Sequence, residues 1–315
     1  MKTSERTEES KLRFVDETIK KGAFYRKIQV WPLADDFNFE GWLNNFTDLN
    51  ERYVAAKMLS GFLYYPKNIV NRMLYDAIGN AVSAISKKTG VNGAEIYKKQ
   101  FIYSYIPGEV PNPTDSGPYF MRKLRDELNI PQNNIKMFGD IVDLLQEKGT
   151  KSKLTIVFTD DLVGSGSQCV TALTETILDK FKISLYDFAI KYGHVLAYAP
   201  LFANQKGVDY IRSKVRELLF TPVHTLGEEY NLFNAKCLCW DGDEDLYVEG
   251  VELIRATSEK LGICDEINST VSIEGYGRQG LFLGFEHGIP DSDPAIFFYN
   301  QKGWAPLMRR TYERD

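Results

Sequence analysis

Between Lys153 and Phe181 the chain reads KLTIVFTDDLVGSGSQCVTALTETILDKF, and the order of its parts leaves few folds open. Lys153 to Phe158 is dominated by β-branched and aromatic residues, the pattern of a buried parallel strand, and it runs into the acidic pair Asp160 and Asp161. A turn of glycine and serine follows. From Cys169 onward Val170, Leu173, Ile177, Leu178 and Phe181 recur at three- and four-residue steps, which predicts an amphipathic helix with one apolar face. Strand, acidic pair, small-residue turn and helix together make the repeating unit of an α/β sheet.

Each part has a chemical use toward a sugar phosphate. Gly164 and Gly166 carry no side chain to hold an anion off the backbone, and the amides around Ser165, Ser167 and Gln168 open a helix whose dipole favours negative charge. Two carboxylates facing a phosphate would repel it, so Asp160 and Asp161 are expected to face ribose hydroxyls or a hydrated Mg2+. The same residues also suit a plain tight turn in which Ser165 or Ser167 caps the helix.

DDLVGSGSQ resembles the PRPP-binding motif of type I phosphoribosyltransferases, an acidic pair, an apolar pair and a short Thr/Ser/Gly loop. Asp160 and Asp161 match the acidic pair, Leu162 and Val163 the apolar pair, and Gly164 to Gln168 the phosphate loop. The resemblance implies a parallel α/β phosphoribosyltransferase-like domain that binds PRPP or a nucleotide with Mg2+, with Asp160 and Asp161 as catalytic residues. Two departures stand out. Gly164 occupies the position where many purine enzymes carry an acid that moves a proton to or from the base, and 135–153 shows no long hairpin of the kind that closes over the site.

The net charge of −5 over 315 residues argues against direct nucleic-acid binding, which needs an excess of Lys and Arg along a phosphate backbone. No run reaches the apolar length of a membrane span and the first residues are charged, so a cytoplasmic location is expected. Cys169, Cys237, Cys239 and Cys264 lack metal-site spacing and are expected to be buried, reduced thiols.

Along the chain, residues 1–12 read as a frayed polar tail. From Asp36 to Ile85 three apolar stripes predict short helices, separated at Pro66 for the last two, and Val91-Asn92-Gly93 suggests a boundary. The expected organisation is a small helical module, 1–95, preceding an α/β domain, 96–315. Phe101 to Ile106 reads as a strand, followed by a loop with Pro107, Gly108, Pro111 and Pro113 and then a helix near Tyr119 to Leu128. Ser116 and Gly117, at that helix start, are candidates for the pyrophosphate segment that the resemblance implies, or for an ordinary cap. Further strands are expected at Ile135 to Phe138, His194 to Ala199, Ala235 to Cys239, Leu281 to Phe285 and Ala295 to Tyr299, with helices at Gly139 to Lys148 and Gly207 to Leu219. Asp241 to Asp245 reads as a solvated acidic turn.

The ending GYGRQGLFLGFEHGIPDSDPAIFFYNQKGWAPLMRR, with WLNNF near Trp42, is similar to phosphoribosyltransferase-like proteins of bacterial conflict and defence gene clusters. That similarity implies an antiphage setting and a protein partner encoded nearby. Two functions follow as expectations: a glycosyltransferase that makes or breaks an N-glycosidic bond at ribose C1, or a non-catalytic nucleotide or PRPP sensor or adaptor that regulates a partner.

Overall fold

The computed structural model describes residues 6–33, 35–108, 116–267 and 269–310. Pro111, Pro113 and Asp115 lie outside them. In chain order the first elements are α1 (Glu8–Lys27), α2 (Phe39–Asn44), α3 (Leu49–Gly61), β1 (Leu63–Tyr65), α4 (Lys67–Thr89), α5 (Gly93–Gln100), β2 (Ile102–Ser104), α6 (Ser116–Asp126) and α7 (Phe138–Lys148). Next come β3 (Thr155–Phe158), β4 (Leu162–Val163), α8 (Ser167–Thr174), β5 (Ile177–Leu178), β6 (Ile183–Ser184), α9 (Leu185–Tyr192) and β7 (Val195–Tyr198). The chain closes with β8 (Phe202–Asn204), α10 (Gln205–Lys214), β9 (Leu219–Phe220), β10 (His224–Leu226), α11 (Glu244–Leu261) and β11 (Leu283–Phe285). The fold is mixed α/β with parallel sheets, as the strand and helix patterns predict.

Two compact units divide at 67/68 and 226/227 rather than near residue 95, one formed by 68–226 and the other by both ends of the chain. The expected helical module therefore does not stand alone. β1 follows α3 and pairs in parallel with β11, more than 200 residues later, which ties the N-terminal helices to the C-terminal segment. Trp42, Phe62 and Phe297 pack in one aromatic cluster of that unit, and Trp42 Nε1 donates to the Ile296 carbonyl at 2.9 Å. Asp293, fully buried there, accepts the Leu283 N–H on Oδ2 at 2.8 Å and so holds the start of β11.

In the 68–226 unit four parallel strands run in the order β2-β3-β7-β9, with β3 in the interior. Ile156 and Phe158 of β3 join a core with Leu145 of α7, Leu173 of α8, Phe188 of α9 and Ile211 of α10. Val157, between them, is fully buried as well, so both faces of the strand are covered. A second parallel set, β10-β8-β4, continues the first, because the Leu201 and Phe202 N–H groups donate to the carbonyls of Asp160 and Asp161. The acidic pair thus sits at a bend within a parallel ladder. The strand does not end there, as the sequence pattern suggested; it resumes at Leu162.

Several expectations are corrected. Residues 8–12 are helical, because Thr7 caps α1 by accepting the Ser10 N–H and Glu8 and Glu9 favour its positive end. The helix expected to reach Phe181 stops at Thr174; β5 and β6 then form an antiparallel hairpin, with Lys182 at φ 55°. Ala235 to Cys239 is a turn with a 3-10 segment from Leu238 to Trp240, since the Asn231 and Asn234 side chains accept the Phe233 and Lys236 N–H groups and compete with any ladder. Ala295 to Phe297 is likewise 3-10, its alternating apolar residues all buried. Ile135 makes only an isolated bridge to Tyr103, and Phe138 opens α7. The acidic turn at Asp243 caps α11, a helix the sequence reading did not anticipate. Cys264 is exposed, whereas the other three thiols are buried. Among the described residues no helix is long and apolar enough to cross a membrane.

His194 joins the starts of β3 and β7. Its Nδ1 accepts the Leu154 N–H at 3.0 Å and its ring stacks on Phe188. An imidazole that accepts on Nδ1 is neutral with its proton on Nε2. Burial lowers its pKa, and the Gly149 carbonyl offsets this only in part. Below about pH 6.5 the unfolded chain binds a proton that the folded state refuses, so stability falls as pH drops from that value toward the lowered one. Urea unfolding between pH 7.5 and 5 should show a shallower loss of stability in His194→Gln than in the parent.

Candidate functional site

Asp160 is buried, and its Oδ1 accepts the Ser116 hydroxyl at 2.8 Å and the Asp161 N–H at 3.0 Å. Tyr198, at the carboxyl end of β7, is buried nearby, and burial first and then the Asp160 charge push its hydroxyl well above the usual range. Burial first, and then the neighbouring Asp161, push the Asp160 carboxyl well above the usual carboxylate range. Asp161 is half-buried and accepts the Leu162 N–H on Oδ1 at 2.8 Å. The pair divides: one carboxyl is committed to the interior, and only Asp161 keeps access to solvent. Of the two carboxylates expected to face a ligand or a hydrated Mg2+, Asp161 is the one that stands half-exposed in this structure.

The loop from Gly164 to Gln168 joins β4 to α8. Ser165 Oγ and Ser167 Oγ share a hydrogen bond of 2.7 Å, and the Ser167 N–H donates to Ser165 Oγ at 3.3 Å. Gln168 is exposed in the first turn of α8, where backbone N–H groups have no intrahelical acceptor. Gly166 caps this helix at φ 78°, in the left-handed region. A Cβ there would lie 2.9 Å from the Gly207 carbonyl and from Ile211, both on α10, and a Cβ on Gly207 would collide with the Gly164 carbonyl. Gly166 therefore answers to the close approach of α10.

Ser116 opens α6, and its hydroxyl is what brings that helix to the acidic pair. Gly117 has a different duty, since a Cβ on it would run into the ring of Tyr105. The structure thus brings together Asp160, Asp161 and Ser116 and adds Tyr198, which sequence reasoning missed; its only signal was an aromatic residue at the carboxyl end of the HVLAYA strand, where α/β sheets place ligands. A cavity of about 590 Å3 lies at the opposite, amino end of the strands, lined by Lys88, Lys153, Leu154, Tyr186, Ile190 and His194 among others, and holds none of these residues.

A mixed α/β fold with parallel sheets is consistent with a phosphoribosyltransferase-like protein, and the comparison with family models supports that class. The family model PRTase-CE matches residues 39–310, and the chain belongs to that family. The match spans parts of both compact units, so the N-terminal helices from α2 on fall within the family's extent. No curated protein and no solved structure matches the chain.

The two kinds of contact predict opposite stability effects. Gly166→Val should destabilise the protein by about 2 kcal/mol or more, because a branched side chain meets α10 at a positive φ. Asp160→Asn should raise Tm at neutral pH. The folded state retains the Asp160 proton over a range where the unfolded chain has released it, so this carboxyl loses stability as pH rises, and the amide has no such dependence. Thermal melts of both variants at pH 5 and 7.5 test the pair; an Asp160→Asn variant melting below the parent at both would contradict it.

Proposed function

We propose that the protein binds a 5-phosphorylated ribose, PRPP or a nucleotide, with the phosphate at the loop from Gly164 to Gln168 and the ribose beside Asp161. The observation that carries this reading is the loop itself: two serine hydroxyls and the first-turn amides of α8 stand next to a half-exposed carboxylate at the carboxyl end of an interior parallel strand. Membership of a phosphoribosyltransferase-like family supports it. Asp161 would supply hydroxyl recognition. Among the described residues no group of three acidic, histidine or cysteine side chains gathers to hold a metal, so a Mg2+ ion would arrive with the phosphates and meet Asp161 as the protein's carboxylate.

With such a ligand held, the reaction in reach is making or breaking the N-glycosidic bond at ribose C1, in the manner of a glycosyltransferase. A second reading is favoured by specific residues. Gly164 stands where a proton-transferring acid is common, and Asp160 is bound inward to Ser116, which leaves a site better furnished for binding than for proton transfer. On that reading the protein senses PRPP or a nucleotide and signals to a protein partner, and the antiphage setting implied by the resemblance gives such a partner a place.

Calorimetry with PRPP and with nucleoside monophosphates, with and without Mg2+, tests the binding step. Asp161→Asn should weaken affinity about tenfold or more while leaving Tm near the parent's, since a charged group's hydrogen bonds contribute about 1.5–3 kcal/mol. Product analysis of the same mixtures separates enzyme from sensor. Absence of binding by the parent to every phosphate ester would refute the reading.

A further inference from the structure

Outside the expected site, the sulfur atoms of Cys237 and Cys239 lie 3.4 Å apart, both buried, in the unit formed by the two ends of the chain. Both thiols are free. Two residues apart in sequence, their Cα atoms are separated by at most about 7 Å even in extended chain, and the 3-10 turn that begins at Leu238 shortens this. That lies within the span a disulfide bridges. We infer that Cys237 and Cys239 form a redox site that a hydroperoxide closes into an intramolecular disulfide.

The surroundings give the two sulfurs different roles. Either sulfur can donate the hydrogen bond between them, and that bond lowers the Cys237 pKa against the opposing effect of burial. Burial first, and then the same hydrogen bond, push the Cys239 thiol up. Cys237 is the attacking sulfur and Cys239 the resolving one. The Cys237 thiolate attacks the peroxide, the O–O bond breaks, an alkoxide or hydroxide leaves and takes a proton from solvent, and Cys237 becomes a sulfenic acid. Cys239 sulfur then attacks that sulfur; the S–O bond breaks, and the departing hydroxide takes the Cys239 proton and leaves as water. Two thiols are oxidised by two electrons, and one hydroperoxide is reduced.

Both sulfurs are buried, so a peroxide must reach them through the turn. Leu238, between the two cysteines, is 67% exposed, and the turn is held by backbone bonds from Cys237 N–H to Asn234, from Trp240 N–H to Cys237 and from Asp241 N–H to Leu238, with the Trp240 indole donating to the Leu232 carbonyl. Packing on the inner side is tight, since a Cβ on Gly61 of α3 would lie 2.9 Å from Cys239 Cβ. Closing the sulfurs must therefore shift the Leu238 side of the turn rather than α3. A metal is a poorer occupant: tetrahedral sites need about four ligands, and among the described residues no third ligand joins these two.

The test uses the full chain carrying Cys264→Ser, which removes the exposed thiol that would join two copies. Folded protein is treated with hydrogen peroxide, quenched, unfolded in N-ethylmaleimide and mapped by mass spectrometry. The expected product is a peptide with Cys237 and Cys239 linked and two hydrogens lighter, formed about tenfold faster than Cys169 is oxidised and reversed by dithiothreitol. In Cys239→Ser, dimedone should trap a sulfenic acid at Cys237, whereas Cys237→Ser should leave Cys239 unlabelled. Labelling at Cys239 in Cys237→Ser would overturn the assigned roles. If both thiols of the parent remain alkylatable after a peroxide dose that oxidises Cys264 in the unsubstituted chain, the redox site is wrong, and that result needs no variant to fold.

Discussion

Burying a carboxyl is expensive, and Asp160 shows how the fold meets that cost. A carboxylate moved out of water needs donors around it or a proton on it. Here the Ser116 hydroxyl and the Asp161 N–H converge on one oxygen, with the buried Tyr198 nearby. These come from α6, from the strand itself and from β7, so one buried side chain joins a helix start to two adjacent strands at the bend in the ladder. Any ligand site beside Asp161 is positioned through this network.

Much of the α/β arrangement was legible because buried parallel strands are short, apolar and β-branched, and β2, β3 and β7 fall within the segments so read. What was not legible follows from period. Adjacent residues in extended chain point to opposite faces, and the neighbouring aspartates at the bend differ in exposure, Asp160 buried and Asp161 half-buried. Treating DD as the close of a strand hid this, and β4 beyond it shows that the chain was still extended. The turn at Ala235 to Cys239 and the 3-10 segment after Pro294 were misread for a related reason: short apolar runs look alike whether they pair or coil, and distant packing decides. The β1–β11 pairing, which unites the two ends of the chain, has no local signal at all.

The glycines of the loop carry a separate lesson about motifs. A small-residue turn before a helix suits an anion, a cap and a close helix crossing equally well, and sequence cannot tell these apart. At Gly166 and Gly207 the third use is visible: a Cβ on either meets the opposing segment. Ser165 and Ser167 have no such packing duty, since their hydroxyls bond each other in a half-buried turn. The loop's backbone is held rigid from behind by α10, while its polar atoms stay in front. Rigidity of this kind serves recognition, because amides already fixed in place lose little further freedom when an anion binds them. On the proposed function, the structural and ligand-binding uses of the turn would be complementary, each assigned to different atoms of the same five residues.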